Sequence, residues 1–367
     1  MKVPFLNLQK EYQSIKKEIE KKFKETLGKG EYCFGQETEE FERNFAKLAG
    51  CKYGFALNSG TTSLIVALRA LGIGNGDKVI TTPFTFIATA EAIVNVGAQP
   101  VFADIDEETM NLDINQVSKV IDKKTKAILP VHLYGVPVEL KAFLKVAKKY
   151  HLGLIEDAAH AEGSLYQGKP VGSFGNIGCF SLYPSKNLGT YGNAGAITTN
   201  NKSLASMIKM LSNHGRGQDK NIHEIIGYTG TIDNLQAAFL NVKLKFFVQR
   251  MKKKKNIVQK YNKAFANLPV KTQKIPSGAD PSFYVYTIRT SKRDELKEFL
   301  ARQGIGTGIY YPQPLHLQPS LKFLGYKKGD FPNAEKAAAS VLSLPLFPEM
   351  TDKEVNYVIK KVKEFFI

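Results

Sequence analysis

Phe180-Ser181-Leu182-Tyr183-Pro184-Ser185-Lys186-Asn187-Leu188-Gly189 closes an apolar run that begins at Ile177, and its lysine falls in a loop punctuated by proline and glycine. About thirty positions upstream, Ile155-Glu156-Asp157-Ala158-Ala159-His160 ends another apolar run, Leu152 to Ile155, with a carboxylate. A lysine that carries an aldehyde cofactor as a Schiff base needs a partner of this kind, an acid that keeps the cofactor's ring nitrogen protonated. Lys186 and Asp157 are therefore read as a pair suited to pyridoxal phosphate. A lone lysine or aspartate would be an ordinary surface charge or cap.

Both runs belong to a longer alternation. Tyr53 to Leu57, Lys78 to Thr82, Pro100 to Ala103 and Ala127 to Val131 are short apolar segments. Between them lie helical spacings such as Leu64, Leu68 and Leu71, and the stretch Leu140 to Tyr150. Strand–helix alternation predicts an α/β fold with a mostly parallel sheet covered by helices on both faces. Ile15, Ile19, Phe23 and Leu27 predict an amphipathic helix near the start. Gly72-Ile-Gly-Asn-Gly76 precedes a strand instead of opening a helix, so it is a turn and not a dinucleotide fingerprint. Beyond about residue 245 a long basic helix leads to a turn-rich stretch (Pro269 to Pro281), a strand from Phe283 to Arg289 and a helix around Asp294 to Gln303. A last helix begins near Asp352. This predicts a large domain over 1–247 and a smaller C-terminal α+β domain over 248–367.

The composition narrows the function classes. A chain of 367 residues that is 43% hydrophobic can bury a large core. No apolar run is long enough to span a membrane, and the N-terminus lacks the form of an export signal. Cys33, Cys51 and Cys179 show no metal-ligand spacing, so no metal is expected, and they read as reduced thiols of a cytoplasmic protein. The net charge of +17 raises the question of nucleic acid. The positive residues are, however, distributed over amphipathic helices, and the densest run, Lys252 to Lys255, lies between apolar residues at helical spacing. It reads as a solvated helix face. A positive field would still favour an anionic substrate.

Ser59-Gly60-Thr61 stands between a strand and a helix. Ser59 suits an N-cap, and the first-turn amides with the dipole's positive end suit a phosphate, which Gly60 lets approach closely. Together with Pro4-Phe-Leu-Asn-Leu8, Asn58-Ser-Gly-Thr-Thr62, Thr82-Pro-Phe-Thr-Phe-Ile-Ala-Thr89, Val131-His-Leu-Tyr-Gly135 and Leu315-His-Leu-Gln-Pro319, these motifs make the chain resemble the DegT/DnrJ/EryC1/StrS aminotransferases nearly from end to end. The resemblance implies fold type I of the pyridoxal phosphate enzymes, a homodimer with shared active sites, and transfer of an amino group from L-glutamate to a nucleotide-linked keto sugar. It implies Lys186 as the catalytic lysine and gives Gly60, Thr61, Thr62 and Ser181 to the cofactor phosphate. Phe86 would stack on the ring, Asp157 would hold its nitrogen, and His160 would lie near it or else be satisfied within the fold. Tyr183, Tyr310, Tyr311 and His316 match positions facing substrate in relatives, although tyrosines in apolar loops and a lone histidine equally serve packing. Lys220 matches a loop contributed by the second subunit.

Lysine at 186 argues against the related dehydrase branch, which carries histidine there. Thr229 and Thr231 depart from the asparagine and arginine usual in Gly-Tyr-Asn-x-Arg, where the asparagine reaches the neighbour's cofactor phosphate; Thr229 retains one hydroxyl for that purpose. Tyr310 replaces a frequent histidine, and Asn193 a frequent acid. Gly192-Asn-Ala-Gly195 and Leu182-Tyr-Pro-Ser-Lys186 look like enzymes that aminate sugar C3, whereas His160 is met among those acting at C4. A non-catalytic regulator that binds the cofactor is the alternative of another class.

Overall fold

The computed structural model describes residues 1–219 and 221–366. Its centre is a seven-stranded sheet in the order Tyr53–Leu57, Gly195–Thr199, Ile177–Ser181, Gly153–Asp157, Thr125–Ile128, Lys78–Thr81, Gln99–Phe102. Only Gly195–Thr199 runs antiparallel to its neighbours; the remaining pairings are parallel. This is the expected mostly parallel mixed sheet.

Because side chains alternate along a strand, successive residues feed two separate cores. Ile80, Ile128, Leu154 and Phe180 join Phe41, Phe45 and Phe143 on one face. Val79, Ala127, Ile155 and Cys179 join Leu64, Leu68, Ile93 and Ile208 on the other. Strands buried on both faces read as continuous apolar runs, which is why the sequence shows them as such.

The helix Asn234–Phe265 links this sheet to the C-terminal unit. Its first part, with Ala237, Leu240, Phe247 and Met251, packs into the large core. Ile257, Val258, Tyr261 and Phe265 pack into a second core with Ile288, Leu296 and Val358, around a small antiparallel sheet of Lys271–Thr272, Tyr286–Arg289 and Val341–Leu344. The boundary expected between 247 and 248 thus falls inside one continuous helix, and the change of core occurs between Met251 and Ile257. Val3 also belongs to the second core.

Two local expectations need correcting. Lys252 and Lys253 are exposed, but Lys254 is buried, because it shares the inward face with Met251 and Val258 at helical spacing. The solvated-face reading therefore fails for that one lysine. The first helical stretch is broken at Ile15 into Leu8–Ser14 and Lys16–Lys29. Ile15 and Ile19 are buried, while Phe23 and Leu27 are exposed. Among the described residues no helix is long and apolar enough to cross a membrane.

Candidate active site

A cavity of about 560 Å³ opens at the C-terminal ends of the parallel strands, the place where open α/β sheets hold their ligands. Its floor comes from Asp157 and Lys186, one wall from Ser59, Gly60 and Thr61, and another from Phe86, Tyr183, Tyr310 and Tyr311.

The phosphate-side wall is built by a cap and two close approaches. Ser59 Oγ accepts the Thr62 amide at 3.0 Å and so starts the helix Gly60–Ala70. Gly60 and Thr61 sit at its first turn, where backbone N–H groups have no partner within the helix. A Cβ at residue 60 would lie 2.8 Å from the Ser181 Cβ, and one at residue 195 would lie 2.3 Å from the Ser59 carbonyl oxygen. Glycine at both positions lets three segments converge. Thr62 does not line the cavity; its hydroxyl lies 2.9 Å from Ser59 Oγ.

Asp157 closes its strand wholly buried. Thr89 donates to its Oδ2 at 2.8 Å and the Ala159 amide to its Oδ1 at 3.2 Å. Burial nevertheless raises its carboxyl above the usual range, against the pull of Thr89, Ala159 and Lys186. A cationic ring N–H presented from the cavity would relieve that cost. The same cavity offers a lysine amine and a helix N-terminus for a phosphate, so the residues present fit pyridoxal phosphate.

Lys186 projects into the cavity with Nζ 4.5 Å from the centre of the Tyr284 ring. Burial brings its amine down to about 8, opposed by the negative charges of Glu162 and Asp157. A lysine so tuned is available as a neutral nucleophile or base near neutral pH. Tyr284 stacks on His160 at 4.4 Å, and Ser185 and Tyr284 share a hydroxyl contact of 3.1 Å. His160 Nδ1 accepts the Tyr134 amide at 3.3 Å. Burial holds the ring well below its ordinary pKa, so it is neutral with its proton on Nε2, 3.4 Å from the Tyr311 hydroxyl.

The two phenylalanines of Thr82–Thr89 part company: Phe84 is fully buried, whereas Phe86 is 57% exposed and lines the cavity. Ser181, Tyr183, Tyr310 and Tyr311 also line it, with Tyr183 at the open side. One residue expected at the site lies elsewhere: His316 is buried, with Nε2 3.0 Å from Glu335 and its ring against Phe331, because its loop folds back on the C-terminal unit. Thr229, expected to reach the neighbouring subunit's cofactor and not this protomer's, contacts the His214 ring at 3.3 Å. Lys220 lies outside the described residues.

The sequence reading passed over Tyr284, Thr89, Glu162 and Lys254. Thr89 and Glu162 carried a signal, being polar residues inside runs of small and apolar ones. Tyr284 carried none, since only the fold brings it to Lys186.

The family model for the DegT/DnrJ/EryC1/StrS aminotransferase family matches residues 13–363. A pleiotropic regulatory protein of Geobacillus stearothermophilus is 43% identical over 100% of this chain and 99% of its own. The dTDP-3-amino-3,4,6-trideoxy-alpha-D-glucose transaminase of Streptomyces venezuelae is 37% identical over 99% of this chain and 96% of its own. The crystal structure of S. venezuelae DesV in complex with a ketimine intermediate superposes with a TM-score of 0.97 at 37% identity, covering 99% of this chain and 98% of that one.

Proposed function

The chain belongs to the DegT/DnrJ/EryC1/StrS aminotransferase family and is a pyridoxal-phosphate-dependent sugar aminotransferase; on that premise we propose that it moves an amino group from L-glutamate to C3 of a 3-keto-6-deoxy sugar carried on dTDP or UDP. The observation that carries this reading is the convergence of Lys186, Asp157 and the Gly60 helix terminus on one cavity.

When bound, pyridoxal phosphate supplies a protonated aromatic ring that draws electrons from the carbon losing its proton. The chain's residues do the rest. Asp157 would hold the ring nitrogen's proton, with Thr89 fixing the carboxylate's orientation. Gly60, Thr61 and the Ser181 hydroxyl would seat the phosphate. Lys186 acts twice: it anchors the cofactor, and once displaced its neutral Nζ takes the proton from the donor's α-carbon and hands it on. The half-reactions then alternate, glutamate leaving as its keto acid before the keto sugar enters. Phe86, Tyr310 and Tyr311 wall off water from the proton transfers, and Tyr183 stands where the sugar enters.

C3 is favoured by the Gly192–Gly195 and Leu182–Lys186 runs and by the C3 product in the name of the S. venezuelae relative. The C4 reading rests on His160, whose ring here is occupied by Tyr134, Tyr284 and Tyr311. A homodimer belongs to the proposal as well, and Tyr32, Phe34 and Ile226, large apolar side chains that are 57%, 58% and 87% exposed, are surfaces a second subunit would cover.

The test is product NMR after incubation with pyridoxal phosphate, glutamate and dTDP-4-keto-6-deoxyglucose, with and without a 3,4-ketoisomerase. Nitrogen at C3 only when the isomerase is present supports the proposal. Nitrogen at C4 without it replaces C3 by C4. No product from either sample moves the substrate to another nucleotide sugar.

A further inference from the structure

Buried outside the cavity lining is a carboxyl for which the chemistry above has no use. Glu162 is 1% exposed, and neither of its oxygens has a hydrogen-bond partner among the described residues. Burying an acid without a partner is costly, and a fold ordinarily avoids it. Its position is nevertheless tightly set. Two residues on, Ser164 Oγ lies 2.9 Å from Ser282 Oγ, which accepts the Asn187 side-chain amide at 3.1 Å. Lys254 donates to Asn187 Oδ1 at 2.7 Å and to the Tyr284 carbonyl at 3.0 Å. One chain of bonds thus ties the Glu162 turn to the residue after Lys186.

We propose that Glu162 is a positioning residue for transamination: its buried carboxyl is the counter-charge that keeps the freed Lys186 amine able to take up the substrate proton while Asp157 is engaged by the cofactor ring. The idea rests on the assignment of Lys186 above. Lys186, the residue's own backbone amide and Lys254 favour the Glu162 carboxylate; burial, with Asp157 on the same side, outweighs them and brings its carboxyl up to about 8. Tyr284 also feels Glu162, and His160 feels Lys186. Lys254 is itself lowered to about 7, by burial and then by Arg250, against Glu162 and Glu349. Lys186 feels Glu162 and Asp157. Once Asp157 faces a cationic ring nitrogen its charge is spent there, the repulsion that helps Glu162 hold its proton is lifted, and Glu162 becomes the remaining acid free to ionise against Lys186. An amine in an apolar pocket without such a charge would stay neutral and could not hold the proton between the two carbons.

The measurement is the pH midpoint of the visible absorbance of the lysine-bound cofactor, taken on the full chain loaded with pyridoxal phosphate. Glu162→Gln should lower this midpoint by about one unit with no loss of melting temperature, since the carboxyl makes no bond to lose. Glu162→Met, apolar and of similar length, should do the same, and it reports even where an unpaired amide prevents folding. Glu162→Asp, which retains the charge, should bring the midpoint back toward wild type. Midpoints unchanged in folded Glu162→Gln or Glu162→Met overturn the proposal. This outcome is separable from failure of the functional reading, because a wild-type protein that aminates no sugar still displays the absorbance and its midpoint.

Discussion

Glu156 and Glu162 stand six residues apart in one strand-to-turn segment, and both are shut away from solvent. Glu156 accepts the amides of Gly172, Phe174 and Gly175 at 2.7 to 2.9 Å and contacts His132 Nε2 at 3.1 Å. Glu162 has no such partner. The first carboxylate is a staple, holding the loop after residue 170 to the sheet. The second is held in place by its neighbours and feels the charges of Lys186 and Lys254 without a bond to either. Burial therefore does not mark function; what separates the two is whether the polar atoms are satisfied. An unsatisfied acid beside a reactive amine is free to respond when charge moves.

The contrast is open to attack from several sides. The largest effect expected is from Lys186→Ala: turnover should fall by at least about a thousandfold and the visible absorbance of the lysine-bound cofactor should vanish. Its melting temperature should stay close to wild type. A variant that still turned over normally would remove the chemistry from this cavity.

Glu156→Ala should act in the opposite manner, costing about 3 kcal/mol in chemical denaturation because three amides and His132 are left without their acceptor. In the protein that remains folded, the absorbance midpoint should not move. If Glu156→Ala shifts that midpoint as strongly as Glu162→Gln does, the two acids do not differ as described.

Next comes the pH dependence of stability without cofactor. The Glu162 carboxyl titrates at about 8 in the fold against an ordinary 4.5, so between those values the folded chain binds more protons than the unfolded one. Its contribution is present in full below pH 4.5 and is lost as pH rises through 8. Denaturation curves should lose on the order of 5 kcal/mol across this window, and Glu162→Gln should flatten the loss. Lys186, lowered to about 8 from 10.5, acts in the higher window and with the opposite slope. A slope in the lower window that survives in Glu162→Gln would mean another group is responsible.

The smallest effect is at Tyr284. Tyr284→Leu removes the ring under Lys186 Nζ, a contact of about 1 kcal/mol, and should slow turnover several-fold. Tyr284→Phe keeps the ring and should remain near wild type. Equal losses in both would point to the hydroxyl contact with Ser185 instead of the ring.

Much of this molecule is legible in its residues. Runs such as Ile177–Phe180 and Leu152–Ile155 are apolar because both faces of their strands are buried, and that leaves a pattern any reader can find. Ser59 before a helical spacing is a local cap, and it is found as one. Other features leave no local mark. The basic run at 252–255 looks uniformly solvated until the axial rotation of the helix turns Lys254 inward with Met251 and Val258. Phe84 and Phe86 are the same residue two positions apart, and only the packing of the loop sends one to the core and the other to the cavity. His316 and the tyrosines at 310 and 311 share one connecting stretch, but the histidine finds Glu335.

The sequence by itself determined the strand–helix alternation, the cap at Ser59, an aspartate ending one strand and a lysine in the loop after another, because each depends on spacing or on residues close along the chain. The tertiary structure alone decided that Tyr284 lies under Lys186, that Lys254 reaches Asn187, and that Glu162 has no partner. Those outcomes depend on which distant surfaces exclude water from one another, and solvation of a charge is a property of everything that surrounds it in space.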